Sequence, residues 1–148
     1  MVKSGKKSNG LKKGEFATAS NGNQAQPIKP WTVAIYMVAD GQGGSPDLDQ
    51  VAMRELALIM DAADKYVSKV NVVVQLDLRT VDGTLRLLKT SSKEVFGIGL
   101  DEKNFAKIET LQNFLQFVTE KSETEHYLLL FWGHSSGPVV FVGDFENG

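Results

Sequence analysis

The stretch Tyr127–Gly137, YLLLFWGHSSG, constrains this chain more than any other. Five large apolar residues in a row, Tyr127 to Phe131, leave no polar face. Alternating patterns mark half-buried strands; a short unbroken run bounded by a turn suits a strand buried on both faces, as in a parallel sheet. Trp132 and Gly133 then lead to a single histidine, His134, followed by Ser135, Ser136 and Gly137. The expected position of His134 is therefore just past the carboxyl end of a buried strand. Open α/β sheets hold ligands and catalytic groups at that edge. The bland alternative is a loop histidine held by a turn.

The other apolar segments fall into the same frame. Trp31–Val38, WTVAIYMV, is rich in β-branched and aromatic residues and reads as the first strand. The sequence after it, Ala39–Pro46, is a loop by composition. Its GQGGS matches neither GxGxxG nor the P-loop, so a phosphate cradle is disfavoured. Asp47–Tyr66 reads as a helix capped by Asp47 or Ser45, with Pro46 in the first turn. Leu48, Val51, Ala52, Leu56, Ile59, Met60 and Ala63 form its apolar face. Val70–Leu76 is a second strand. Asp82-Gly83 signals a two-residue hairpin, with Thr84–Leu88 returning. Asp77 and Arg79 read as a surface pair. Glu94–Leu100 reads as a glycine-containing loop.

Asn104–Lys121 reads as the second long helix, with Phe105, Ile108, Leu111, Phe114, Leu115 and Val118 on one face. His126, at the start of the last strand, reads as a polar partner for a carboxylate. Pro138–Val142 is a further short apolar run. The order is β-α-β-β-α-β, which implies an α/β fold. Its sheet is expected to be mostly parallel, with helices on both faces and right-handed crossovers.

Charge is divided unevenly. Residues 1–30 hold six lysines and one glutamate, with little to bury, and read as a disordered tail or linker. Residues 31–148 hold ten Lys plus Arg against seventeen Asp plus Glu, and this acidic portion argues against a nucleic-acid partner. No apolar run approaches the roughly 18 residues that span a membrane, and no secretory signal is visible. The 148 residues suit a single domain and contain no cysteine. Two separated histidines and no thiol make a poor metal site, so neither a metal nor another cofactor is expected.

The ordered set WTVAIYMVAD, DLDQVAMRELALIMDAA, NVVVQLDLR, ETLQNFLQFV and HYLLLFWGHSSG resembles the clostripain family of cysteine peptidases. That family belongs with caspases, gingipains, legumain and separase. The likeness runs from Trp31 to about Asp144. It implies a caspase-like fold and a His–Cys dyad, with the histidine after one strand and the cysteine after the next. His134 matches the histidine. The resemblance further implies that the N–H groups of Ser135 or Gly137 serve as oxyanion donors. Ser135 departs from the family, which usually has glycine directly after the histidine.

The nucleophile is missing, because 14 residues follow His134 and none is cysteine. The expectation is therefore the His-bearing part, residues 31–148, of a caspase-like endopeptidase domain. Its partners would be a Cys-bearing remainder and a peptide or protein substrate. A truncated chain and a catalytically inactive, regulatory caspase-like module are the competing readings. A serine hydrolase is disfavoured, since no G-x-S-x-G elbow is present and adjacent residues on a tight turn align poorly. If the tail is disordered, limited proteolysis should trim residues 1–28 without removing the thermal transition of the remainder. A tail protected throughout digestion would contradict that assignment.

Overall fold

The computed structural model of the chain describes residues 28–39, 48–92 and 94–133. Residues 1–27 of the expected 1–30 tail and the glycine loop with its helix cap at 40–47 lie outside the described residues, as do residues 134–148. Lys29 and Pro30, assigned to the tail from sequence, open the first strand. The described elements are strand β1 (Lys29–Val38), helix α1 (Leu48–Lys65), strands β2 (Val70–Asp77), β3 (Thr84–Lys89) and β4 (Phe96–Leu100), helix α2 (Ile108–Lys121) and strand β5 (Thr124–Gly133). The five strands form one sheet in the order β4-β3-β2-β1-β5. β1 runs parallel to both β2 and β5. β3 is antiparallel to β2, and β4 to β3.

The sheet is therefore mixed rather than mostly parallel, and the order is β-α-β-β-β-α-β. The difference is β4, which the sequence suggested was a loop. In FGIGL, glycines at 97 and 99 empty one side of the strand, so the composition gives no strand signal. Pairing with β3 supplies the order that propensity does not. The hairpin after β2 also differs. Its connection is the six-residue stretch 78–83 rather than two residues. Gly83 is used as expected for a positive φ, at +93°, and a Cβ there would meet the Leu100 carbonyl oxygen at 2.4 Å.

Each helix covers one face. α1 packs its Ala52, Leu56 and Ala63 on Ile35, Met37, Val72, Val74 and Leu76. α2 packs Phe114 and Val118 on Ala34, Tyr36, Val38 and Val73 of the other face. Lys89 points to the α1 face and meets Asp64 at 2.7 Å. α2 begins four residues later than the expected Asn104. Residues 104–107 form a turn in which Asn104 Oδ1 accepts from the Ala106 N–H at 3.0 Å. Phe105 is still buried, against the Tyr36 ring. Ile108, expected on the apolar face, is 61% exposed.

The largest departure is β5. It is parallel to β1 but forms an edge strand with one neighbour. Tyr127, Leu128, Leu130 and Phe131 are 45%, 43%, 43% and 38% exposed. Among the described residues the expected burial on both faces is not seen, because no described element lies beside β5 on its outer edge. Leu76 is fully buried. Leu76→Ala should therefore cost about 2–5 kcal/mol in denaturant unfolding. Leu130→Ala should shift the same transition by much less, near the roughly 0.5 kcal/mol typical of surface changes.

Candidate active site

The carboxyl ends of β5, β1 and β2 lie side by side. Gly133 pairs with Val38, and Val38 pairs with Asp77, in one row across the sheet. At about 4.8 Å per step, Gly133 and Asp77 are roughly 10 Å apart through the backbone. Their adjacency is fixed by long parallel ladders rather than by loops. The Ala39 N–H extends the row by donating to the Asp77 carbonyl at 3.0 Å.

Gly133 is a packing requirement. A Cβ there would lie 2.9 Å from the Val38 carbonyl oxygen and 3.4 Å from Val38 Cβ. The glycine lets β5 stay close to β1 at the last described position. Trp132, one residue earlier, packs on the α1-face core. His134 follows Gly133 directly in the sequence. His134, Ser135 and Gly137 themselves lie outside the described residues.

Asp77 is not the surface residue that the sequence suggested; it is 2% exposed. Arg79 is exposed, and its main-chain N–H donates to Asp49 Oδ1 at 3.2 Å. Asp49 also accepts from the Thr80 N–H at 2.9 Å and from its hydroxyl at 2.5 Å. This buried carboxylate on the first turn of α1 pins the loop after β2. The sequence reading missed that role, since Asp49 looked like an ordinary acidic first-turn residue. A carboxylate two residues into a helix whose far neighbour is a six-residue loop is the only available signal.

Beside Asp77 on the α2 face, Gln75 Oε1 accepts two bonds from the Arg86 guanidinium, one of them from Nε at 2.9 Å. The guanidinium lies 4.7 Å from the Phe117 ring centroid and 5.8 Å from that of Phe114. Burial lowers the pKa of Arg86, and the nearby Tyr36 opposes the shift. Arg86 is a cation filling the space between sheet and helix through its stem and stacked plane. A cleft of about 230 Å³ opens at the same end of the sheet, bounded by Tyr36, Phe105, Lys107, Ile108, Leu111 and Phe131.

His126 is also on β5 but near its amino end, at the opposite end of the strands from Gly133. Its ring lies against Trp31, with centroids 4.8 Å apart, rather than in the carboxylate pairing expected from sequence. Among the described residues, no group of three or more His, Cys, Asp or Glu side chains is arranged to hold a metal ion. No described helix is long and apolar enough to cross a membrane.

No curated protein sequence matches this chain. Solved structures do resemble it. A cysteine protease of B. fragilis matches with a TM-score of 0.62 at 18% identity, over 75% of this chain and 93% of that one. A clostripain from Bacteroides thetaiotaomicron, in complex with the peptide inhibitor BTN-VLTK-AOMK, matches at 0.58 and 14%, over 75% and 95%. A secreted C11 cysteine protease from the same species, bound to an irreversible peptide inhibitor, matches at 0.58 and 19%, over 73% of this chain but 30% of that one. At these identities the likeness is one of fold. The model of the clostripain family, peptidase C11, matches residues 35–139, which span β1 to β5 and the histidine after it. By that match, and with a sheet and helices arranged as in solved clostripains, the chain belongs to the clostripain family of cysteine peptidases.

Proposed function

We propose that this chain is the His-bearing portion of a clostripain-like cysteine endopeptidase whose nucleophilic cysteine lies on a segment outside these 148 residues. One combination carries the reading. The chain belongs to a cysteine-peptidase family, contains no cysteine, and among its described residues leaves an apolar strand edge open beside the candidate site.

The two edges of the sheet differ in a way that supports it. β4 is five residues long and includes two glycines, a weak template for pairing. β5 is ten residues long and apolar on both faces, with its unpaired side open. Proteins blunt true edges with short strands, charges or bulges. β5 has none of these along Tyr127–Trp132, so it reads as an interior strand whose second neighbour is not among the described residues. The relatives agree with a separable unit. This chain accounts for nearly all of two solved chains but under a third of another, so a comparable unit stands as a chain of its own in the first two and as part of a longer chain in the third.

The chemistry follows from His134. Its imidazole takes the proton of the cysteine thiol, and the thiolate attacks the peptide carbonyl carbon. The carbonyl electrons move onto oxygen, where the N–H of Ser135 or Gly137 stabilises the charge. The C–N bond then breaks, and the imidazolium protonates the leaving amine. Water hydrolyses the resulting thioester with His134 again as base. The substrate is a peptide, in keeping with the peptide inhibitors bound by two of the similar structures. The competing regulatory reading requires the completed protein to bind without cleaving.

The purified chain alone should show no peptide hydrolysis, because it has no thiol. Hydrolysis that is abolished by His134→Ala in this chain would overturn the missing-cysteine assignment. In the completed protein, His134→Ala should lower kcat/KM by about two to four orders of magnitude. The thermal midpoint should stay nearly unchanged, since the residue follows the strand rather than forming its core. Loss of folding with normal turnover in the surviving fraction would make His134 a structural residue. Gly133→Ala should do the reverse. It should destabilise the domain by roughly 1–3 kcal/mol, a cost typical of overpacking, because the new methyl meets the β1 backbone.

A further inference from the structure

The loop that follows β2 lies at the same edge of the sheet as the end of β5, and it is fixed there from outside. Asp49, 5% exposed on the first turn of α1, accepts from the main-chain N–H groups of Arg79 and Thr80 at 3.2 and 2.9 Å, and from the Thr80 hydroxyl. None of these bonds uses the Arg79 side chain. The Arg79 guanidinium is exposed and forms no ion pair with a described residue. The acidic residue of the same loop, Asp82, sits at its β3 end beside Gly83, farther from β5. A buried carboxylate thus fixes the backbone of a residue whose charge is left to solvent.

From this anchor and the row of strand ends, we propose that Arg79 is a specificity-determining residue that takes an acidic side chain on the leaving-group side of a peptide substrate. The inference rests on the His–Cys reading. Under it the Cys-bearing segment enters from the open side of β5, because β1 to β4 fill the other side. The order along the edge is then cysteine, histidine, the end of β1, and the loop after β2. The thiolate attacks the carbonyl carbon, and the imidazolium protonates the departing nitrogen. That nitrogen therefore lies on the histidine side of the thiolate. The peptide that continues from it runs away from the cysteine, over the ends of β1 and β2. The acyl half stays with the cysteine and extends the other way.

Reach fixes which substrate residue is met. Gly133 pairs with Val38 and Val38 with Asp77, two strand steps or roughly 10 Å. An extended peptide advances about 3.3 Å per residue. Arg79, two residues past Asp77, therefore meets about the third residue after the scissile bond. A guanidinium presents a planar fork that matches a carboxylate through paired N–H bonds. A substrate lysine at the same place is repelled. The preferred residue is an Asp or Glu.

Internally quenched peptides test this in the complete, longer protein. They share one cleavage site, mapped first on denatured casein, and differ only at the third residue after it, which is Glu, Gln or Lys. The Glu peptide should exceed the Gln peptide in kcat/KM by about two- to fivefold, the scale of an exposed Arg–carboxylate pair, and the Lys peptide should fall below both. The difference should lie in KM, since the contact is remote from the reacting atoms. Arg79→Gln should bring the Glu-to-Gln ratio to about one, and Arg79→Glu should invert the order in favour of Lys. Both variants should keep the thermal midpoint, because the bond from residue 79 to Asp49 comes from the main chain. A second peptide set, varied at the third residue before the scissile bond, should show no dependence on Arg79. A Glu preference that persists in Arg79→Gln, no preference in the unaltered protein, or an Arg79 dependence confined to the second set overturns the inference. The proposed function fails separately, if the complete protein leaves casein intact or still cleaves it after its downstream cysteine is changed to alanine; the inference then falls with it.

Discussion

β1 is hydrogen-bonded along both of its sides, and the rest of the sheet depends on that double ladder. It pairs with β2 through eight registered positions and with β5 through nine, both parallel. Its own side chains then serve two cores at once. Ile35 and Met37 enter the α1 core, while Ala34, Tyr36 and Val38 enter the α2 core. A buried polar contact locks the register at its start. The Thr32 hydroxyl, fully buried, donates to the Ser122 carbonyl at 3.2 Å and accepts from Asn71 Nδ2 at 3.2 Å. One side chain thus ties β1 to β2 and to the end of α2. A buried hydroxyl without such partners would be costly.

The same ladder explains why the candidate site lies where it does. Parallel pairing brings the carboxyl ends of β2, β1 and β5 to one edge, and a glycine keeps the last step close. The loop after β2 is held by a carboxylate from α1 rather than by its own turn chemistry. A chain assembled in this way holds an edge rigidly while leaving the residues just past it free to vary. This division of labour suits a catalytic group that follows a strand.

Much of this was legible in the sequence, for identifiable reasons. β1, β2 and β5 announced themselves through β-branched and aromatic runs, and both helices through 3.6-residue spacing. Arg86 and Lys89, grouped by sequence on the polar side of β3 against Leu85 and Leu87, instead fall on opposite faces, since three residues along a strand reverse the side. Arg86 meets Gln75 and the Phe117 ring, and Lys89 meets Asp64. β4 was not legible, because Gly97 and Gly99 carry no side-chain pattern and its order comes from β3. The burial of Asp77 was hidden because an acid at a strand end looks solvated until the neighbouring strands are known. The exposure of β5 was hidden for a different reason. Apolar composition records the surroundings a strand is selected for, and the described residues supply β5 with a neighbour on only one side. Of the candidate site, the strand leading to His134 and the glycine before it were readable; the histidine and its two neighbours at 135 and 137 lie outside the described residues.

The pairing of β1 with β5 has a consequence for the order of assembly. Lys29 and Thr124 bond across 95 residues, and Thr32 and Ser122 across 90. Contacts this distant in sequence form late, after the loop-closure entropy has been overcome. During synthesis, β1 must therefore wait for most of the chain to appear, with only the β2 side of its ladder satisfied. β1, α1 and the β2–β4 meander can gather first. Docking of β5 then moves the unpaired apolar edge outward by one strand without removing it. Among the described strands, the growing sheet thus carries an apolar margin at each of these stages. Translation speed between these strands, and any chaperone that covers the margin in the meantime, would then decide how much of the protein reaches its completed form.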